Sequence, residues 1–327
     1  MTRAKEKALP GEATSGPALA QATPSVMGLG RFSAMNTEVR LLTPAFDSRR
    51  LMEDAQDVFH DIEQRFSRFL SDSELSLLND RRADHVRVSP EMMTILRLCV
   101  RMNRATGGLF DPAVLPSLEH AGYDRSFELV PAEQRPSSSA APELWSVAAM
   151  TLDESRSVVR MPAGMRLDLG GIGKGYAVDR AGQVMAPLGD YLIDAGGDIL
   201  ASGNGPAADG WLIAVGHPTS PDIVLQHVVL RDEAIATSSI ARRRWRRGSV
   251  QQHHIIDPRR GEPAQTDCLS VSVIARTTME ADVYAKCALI LGSTGGRLLL
   301  EGHNLPGLFV LTDGNIETTT NWEGSKT

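Results

Sequence analysis

The densest chemical signal in the sequence lies at residues 167–179, LDLGGIGKGYAVD: a short apolar run, four glycines in six positions, then a lysine where a helix begins. Glycines let backbone amides come close to an anion, a helix start offers unpaired N–H groups, and Lys174 adds a point charge. The segment reads as a phosphate cradle; a tight strand-to-helix turn is the simpler alternative. It is not a Walker A loop, because Asp168 stands five residues before Gly173 and Gly175 follows Lys174. Its spacing also misses the dinucleotide fingerprint.

Other groups could work beside it. DAGGD at 194–198 is a second glycine turn with two carboxylates, readable as an Asx-type turn or as a ligand contact. HHIIDPRRG at 253–261 sets paired imidazoles ahead of an Asp-Pro turn. Strand alternation sends His254 and Ile256 to one face and His253 and Ile255 to the other, so only one imidazole readily reaches a site. A histidine there can act as a base or bind phosphate, or be structural. Glu280 and Asp282 open a helix whose dipole stabilises them in any case; a lone Asp with phosphate and carbonyl oxygens would also suit Mg²⁺. TGGLFDP at 106–112 is a plausible wall for an aromatic ligand. ATSSIARRRW at 236–245 combines small hydroxyls with a basic, aromatic end, which a solvated hairpin explains equally well.

These groups need elements to position them. Apolar residues at 51, 55, 58, 59, 62 and 66 predict a helix over 50–69. Ser89 as cap, Pro90 in the first turn and Gly107-Gly108 at the end bracket a second, and Ser73 with Ser76 forms a capping pattern closed by Asn79. Residues 150–161 alternate as a hairpin turning at 153–155. Further helices are expected over 176–187 and 279–291, with strands in LIAV, LQHVVL, HHIID, LSVSVIA and GLFVLT. Strands outnumber helices without strict βα alternation, so the fold class is α+β.

Composition narrows the field. A chain of 327 residues with 42% hydrophobic and 23% charged residues buries roughly three-quarters of its surface on folding. A net charge of −6 argues against a general nucleic-acid binder, and three cysteines (Cys99, Cys268, Cys287) make neither a disulfide framework nor a CxxC site. No apolar run is long enough for a membrane span. Residues 1–30 read as a disordered leader, 31–318 as the working domain in one or two subdomains, and 319–327 as a flexible tail. With neither an export signal nor a lipobox cysteine in the leader, the expected location is cytoplasmic.

In this order, MNT at 35–37, SDSELSLLN, TGGLFDP, LDLGGIGKGYAVD, DAGGD, ATSS with RRRW, HHIIDPRRG and EADVYAK resemble the ApbE family of FAD:protein FMN transferases, over residues 31 to about 315. The resemblance implies an α+β architecture of mixed or antiparallel sheets with flanking helices, related to the T-fold. It implies an enzyme that binds FAD with Mg²⁺, transfers FMN to a Thr or Ser hydroxyl of an acceptor flavoprotein, and releases AMP. Met35, Phe69, Asn79, Leu109, Phe110, Asp111, Asp168 and Asp257 match positions of the FAD pocket, and Lys174 matches a phosphate-contacting lysine. The Gly171 backbone oxygen and the Asp282 carboxylate match the metal ligands. His254, or its neighbour His253, matches the histidine that deprotonates the hydroxyl or orients the phosphates.

Three departures stand out. Asn36 replaces a usual glycine, Phe69 a frequent tyrosine, and Lys286 a frequent metal-ligating threonine one turn after Asp282. An ammonium cannot ligate Mg²⁺, so Lys286 is expected to weaken the metal site or to pair with Asp282 or a phosphate instead. Two other activities fit the same residues: holding FAD without transfer, and splitting it to FMN and AMP.

Overall fold

Eight antiparallel strands lying side by side in chain order form the frame of a computed structural model that describes residues 27–326 apart from 46, 138–139 and 221. They are β1 (Gly28–Ala34), β2 (Thr37–Thr43), β3 (Tyr191–Ala195), β4 (Ile199–Ser202), β5 (Glu233–Ser239), β6 (Cys268–Ala275), β7 (Gly307–Leu311) and β8 (Ile316–Thr318). Every neighbouring pair is antiparallel. The functional segments are excursions from this meander. The helices that leave between β2 and β3 include α1 (Arg49–Phe66), α2 (Glu74–Asn79), α3 (Pro90–Ala105) and α4 (Gly173–Met185), with the short helix Leu115–His120 between the last two; α5 (Thr278–Gly302) joins β6 to β7.

Alternation along the strands explains the layering. In β3, Tyr191 and Ile193 pack toward the helices, while Leu192 packs with Trp211, Ile213 and Val228 of a hairpin on the other face. α1 buries Met52, Ala55, Phe59, Ile62 and Phe66, one stripe of a 3.6-residue period. It ends three residues before the expected position 69, where Ser67 turns extended and frees Phe69 for a loop. The caps agree with the sequence: Ser89 accepts from the Met92 N–H at 3.1 Å and Ser73 from the Ser76 N–H at 3.0 Å. The three cysteines are buried thiols.

Two segments differ from expectation. α5 runs past Leu291 because Gly292 (φ 75°) breaks the helix without ending it. Asp267, just before β6, recaps the second half by accepting from the Ser293 N–H at 2.8 Å and Oγ at 2.6 Å. Of the stretch 319–327, expected as a flexible tail, the described residues 319–326 are fastened: Thr319 is buried against Gly307, Trp322 donates to Gln226 at 2.6 Å, and Ser325–Lys326 pairs with the strand Val224–Leu230. The leader expected over 1–30 lies outside the described residues up to 26, and residues 28–30 already belong to β1. Among the described residues no helix is long and apolar enough to cross a membrane.

One close crossing sets the geometry of the site. A Cβ on Gly175 of α4 would lie 2.7 Å from the Met279 Cα and 2.8 Å from the Thr278 carbonyl oxygen, both backbone atoms of α5. One turn on, Asp179 accepts from the N–H groups of Thr278 (2.8 Å) and Met279 (3.0 Å), fixing α5 to α4 although burial pushes its carboxyl up to about 6. Gly175→Ala must therefore push the helices apart, at about 3 kcal/mol. A fall in Tm of roughly 5 °C or more is expected by circular dichroism. A Tm within about 1 °C of wild type would show that the crossing is not tight.

Candidate functional site

The excursions meet at a cavity of about 930 Å³. One part of its wall is aromatic and aliphatic, with Phe69, Leu109, Phe110, Leu118 and Tyr123; the other is charged, with Lys174, Asp282, Lys286, Arg242, Arg243 and His254. Met35 reaches the cavity from a two-residue β1–β2 turn in which Met35 (φ 51°) and Asn36 (φ 57°) are both left-handed. Such a hairpin turn demands positive φ twice, and Asn tolerates it better than other non-glycine residues. Asn36 thus replaces the usual glycine at little cost, while Met35 carries the strain.

The glycine loop forms the floor. Asp168 closes it by accepting from the Gly170 N–H at 2.8 Å and is itself held by Arg68 at 2.5 Å, whose guanidinium lies 4.1 Å from the Phe69 ring centre. α4 starts at Gly173 with no side chain capping it; the Gly173 N–H bonds the Leu169 carbonyl at 2.7 Å, which leaves the N–H groups of Lys174 and Gly175 for an anion. Lys174 pairs with the buried Asp198 of the DAGGD turn, whose Asp194 closes the turn by accepting from the Gly197 N–H at 2.8 Å. Burial works against the Lys174 charge, but the Asp198 and Asp282 carboxylates outweigh it and raise its pKa. The ammonium is therefore charged at any physiological pH.

His254 lines the cavity, and its Nδ1 is buried without a hydrogen-bond partner. Burial, then the positive charge of Arg243, pushes its pKa well below the usual histidine value. A neutral imidazole with a free ring nitrogen can accept a proton. Lys286, on α5, donates to the Gly171 carbonyl at 2.6 Å and to Asp282 Oδ1 at 3.3 Å.

Met35, Phe69, Leu109, Phe110, Asp111, Asp168, Gly171, Lys174, His254 and Asp282 all line this one cavity. Asp111 is tied down there by Asn103 at 2.9 Å and by the N–H groups of Ala113 and Val147, and burial raises its pKa. Three expected residues stand behind the wall. Asn79 is buried and clasps the backbone of Leu167, donating to its carbonyl at 2.9 Å and accepting from its N–H at 2.8 Å, so it positions the glycine loop. Asp257 turns away to the Arg259 guanidinium at 2.7 Å, while Ile256 and Pro258 on either side face the cavity. His253 is buried against the Ala264 carbonyl at 3.0 Å. The expected alternation fails after His253, where the strand ends: His254, Ile255 and Ile256 all reach the cavity.

Arg68 is not among the candidates that the sequence offers, whereas Asp198, in the DAGGD turn, and Arg243, in the basic run at 242–247, are offered there only as members of a motif. Among the described residues neither Arg242 nor Arg243 makes an ion pair, although each paired cation of the cavity has its carboxylate. Both guanidinium groups line the cavity.

The divalent ion implied by the resemblance can be tested on these atoms. Mg²⁺ needs a near-octahedral shell of oxygens at about 2.0–2.1 Å. Here the Gly171 carbonyl and Asp282 Oδ1 are both taken by the Lys286 ammonium, and only Asp282 Oδ2 is bare. Among the described residues no group of three or more His, Cys, Asp or Glu could hold a metal. The residues present do not fit the ion.

Fold and cavity together define an α+β protein built around a pocket that is aromatic on one side and lined by cations on the other. A model of the ApbE family matches residues 35–309. The FAD:protein FMN transferase of Treponema pallidum is 29% identical over 296 residues, spanning 84% of this chain and 81% of the relative. That of Vibrio cholerae is 26% identical over 271 residues, spanning 81% and 80%. The crystal structure of the ApbE protein from Thermotoga maritima superposes with a TM-score of 0.78 at 26% identity, covering 90% of this chain and 97% of that one. The chain belongs to the ApbE family.

Proposed function

We propose that this protein transfers FMN from FAD to a Thr or Ser hydroxyl of an acceptor flavoprotein and releases AMP. The observation that carries the reading is the convergence of Lys174, the uncapped start of α4 and neutral His254 on one cavity with an aromatic wall. FAD:protein FMN transferases among the relatives support it.

The chemistry follows from the residues. The ring system lies between Met35 and the Phe69–Phe110 wall, which brings the diphosphate to the glycine loop, Lys174 and Arg243. The acceptor hydroxyl oxygen attacks the phosphorus on the flavin side. A phosphoester bond forms, the bridging P–O bond breaks with its electron pair leaving on AMP, and the hydroxyl proton passes to His254. Positioning and charge neutralisation supply most of the rate in such a transfer.

Incubating the protein with FAD and an acceptor peptide carrying a Thr, read by mass spectrometry, tests this reading. The expected product is a peptide heavier by one FMN, with AMP in equal amount. Free FMN and AMP with an unmodified peptide would point to hydrolysis. FAD recovered bound and intact would leave a binding protein.

A further inference from the structure

We infer that the Lys286 ammonium is a built-in counter-charge for the ligand's diphosphate, so that this chain binds FAD and breaks its diphosphate without a divalent metal ion. The inference rests on the FAD reading above and concerns which group supplies charge in that site.

Lys286 is fixed rather than free. It sits four residues after Asp282 on α5, its side chain is 17% exposed, and it bridges Asp282 on its own helix to Gly171 in the loop before α4. A Cβ at Gly171 would stand 2.8 Å from the Lys286 Nζ, so a side chain there would have to displace the ammonium. An ammonium carries three N–H donors; the carbonyl and the carboxylate take two, and the third is available to a phosphate oxygen in the cavity that Lys286 lines.

The charge balance favours the same conclusion. The buried carboxylates Asp198 and Asp282 are matched by Lys174 and Lys286, and Arg242 and Arg243 line the cavity without a carboxylate partner among the described residues, so four cations are gathered where a diphosphate would lie. A divalent ion in addition would carry excess positive charge into contact with Lys286, and could reach Gly171 and Asp282 only after expelling it.

The experiment measures FAD affinity by quenching of flavin fluorescence, in EDTA and in millimolar Mg²⁺, for wild type, Lys286→Thr, Lys286→Met and the double variant Lys286→Met/Asp282→Asn. Wild-type Kd should change less than about twofold between the two conditions. Lys286→Met should bind about tenfold or more weakly in either, the loss of one charge-assisted hydrogen bond. Lys286→Thr should be equally weak in EDTA and recover with Mg²⁺, because the threonine frees both oxygens for the ion. The double variant removes the carboxylate left unpaired, so its weak binding remains informative if Lys286→Met does not fold.

Wild-type binding that requires Mg²⁺, or wild-type affinity in EDTA for Lys286→Met and the double variant, would overturn the inference and leave the transferase reading standing. Absence of FAD binding in every condition would overturn both.

Discussion

Replacing His254 by alanine is expected to slow FMN transfer about 100- to 10,000-fold, the usual contribution of a positioned general base. FAD should still bind, with KM within about threefold of wild type, because the imidazole is asked to take a proton in the transition state and not to hold the ground state. The pH profile supplies a second readout. Burial and Arg243 lower the His254 pKa from 6.5, so the imidazole stays neutral and competent well below that pH, and the acid limb of wild-type kcat/KM should lie below pH 6.5. The sign for stability is the same: the unfolded chain binds this proton more readily, so stability from His254 is complete above pH 6.5 and declines as pH falls toward the depressed folded value. Stopped-rate assays of AMP release from pH 5 to 9 check both points. An acid limb above 6.5, or a variant within a few-fold of wild type, would remove His254 from the role of base.

The sequence carried the parts of this site that depend on short-range chemistry. A run of glycines leading into Lys174 can admit an anion to a helix start or serve a tight turn, and the structure places that start at the cavity without a side-chain cap. The caps at Ser73 and Ser89 were equally legible, since a hydroxyl before a periodic apolar run has a local partner. What depends on distant pairing was not. Arg68 and Asp168 meet across 100 residues, and Asp267 recaps α5 across 26; no local pattern marks either.

Asn79 and Asp257 match pocket positions by resemblance, and their side chains engage backbone and guanidinium partners that hold the wall in place. His253 and His254 could not be separated by alternation, because the strand stops between them. The antiparallel order of the sheet was similarly hidden. Some 150 residues separate β2 from β3, yet Leu41 pairs with Ile193 as a direct neighbour, a contact that only the completed fold reveals.

Lys174→Met should produce two losses that can be separated. Lys174 is the ion-pair partner of Asp198, whose side chain is 2% exposed, and removing one member of a buried pair costs about 3–5 kcal/mol because the other charge is left uncompensated. A fall in Tm of roughly 5–10 °C is therefore expected at neutral pH. Burial already pushes the Asp198 carboxyl upward, so without the ammonium it protonates more readily and the deficit should shrink in acid. The second loss is functional: a cation at the start of α4 no longer meets the diphosphate, and FAD affinity should fall about tenfold or more. Lys174→Met/Asp198→Asn distinguishes the two. Replacing both charges restores a neutral, similarly shaped pair, so Tm should recover most of its deficit while FAD binding and transfer stay low. If the double variant instead transfers at the wild-type rate, Lys174 serves only to neutralise Asp198, and the phosphates must be held by the loop amides, Arg243 and Lys286.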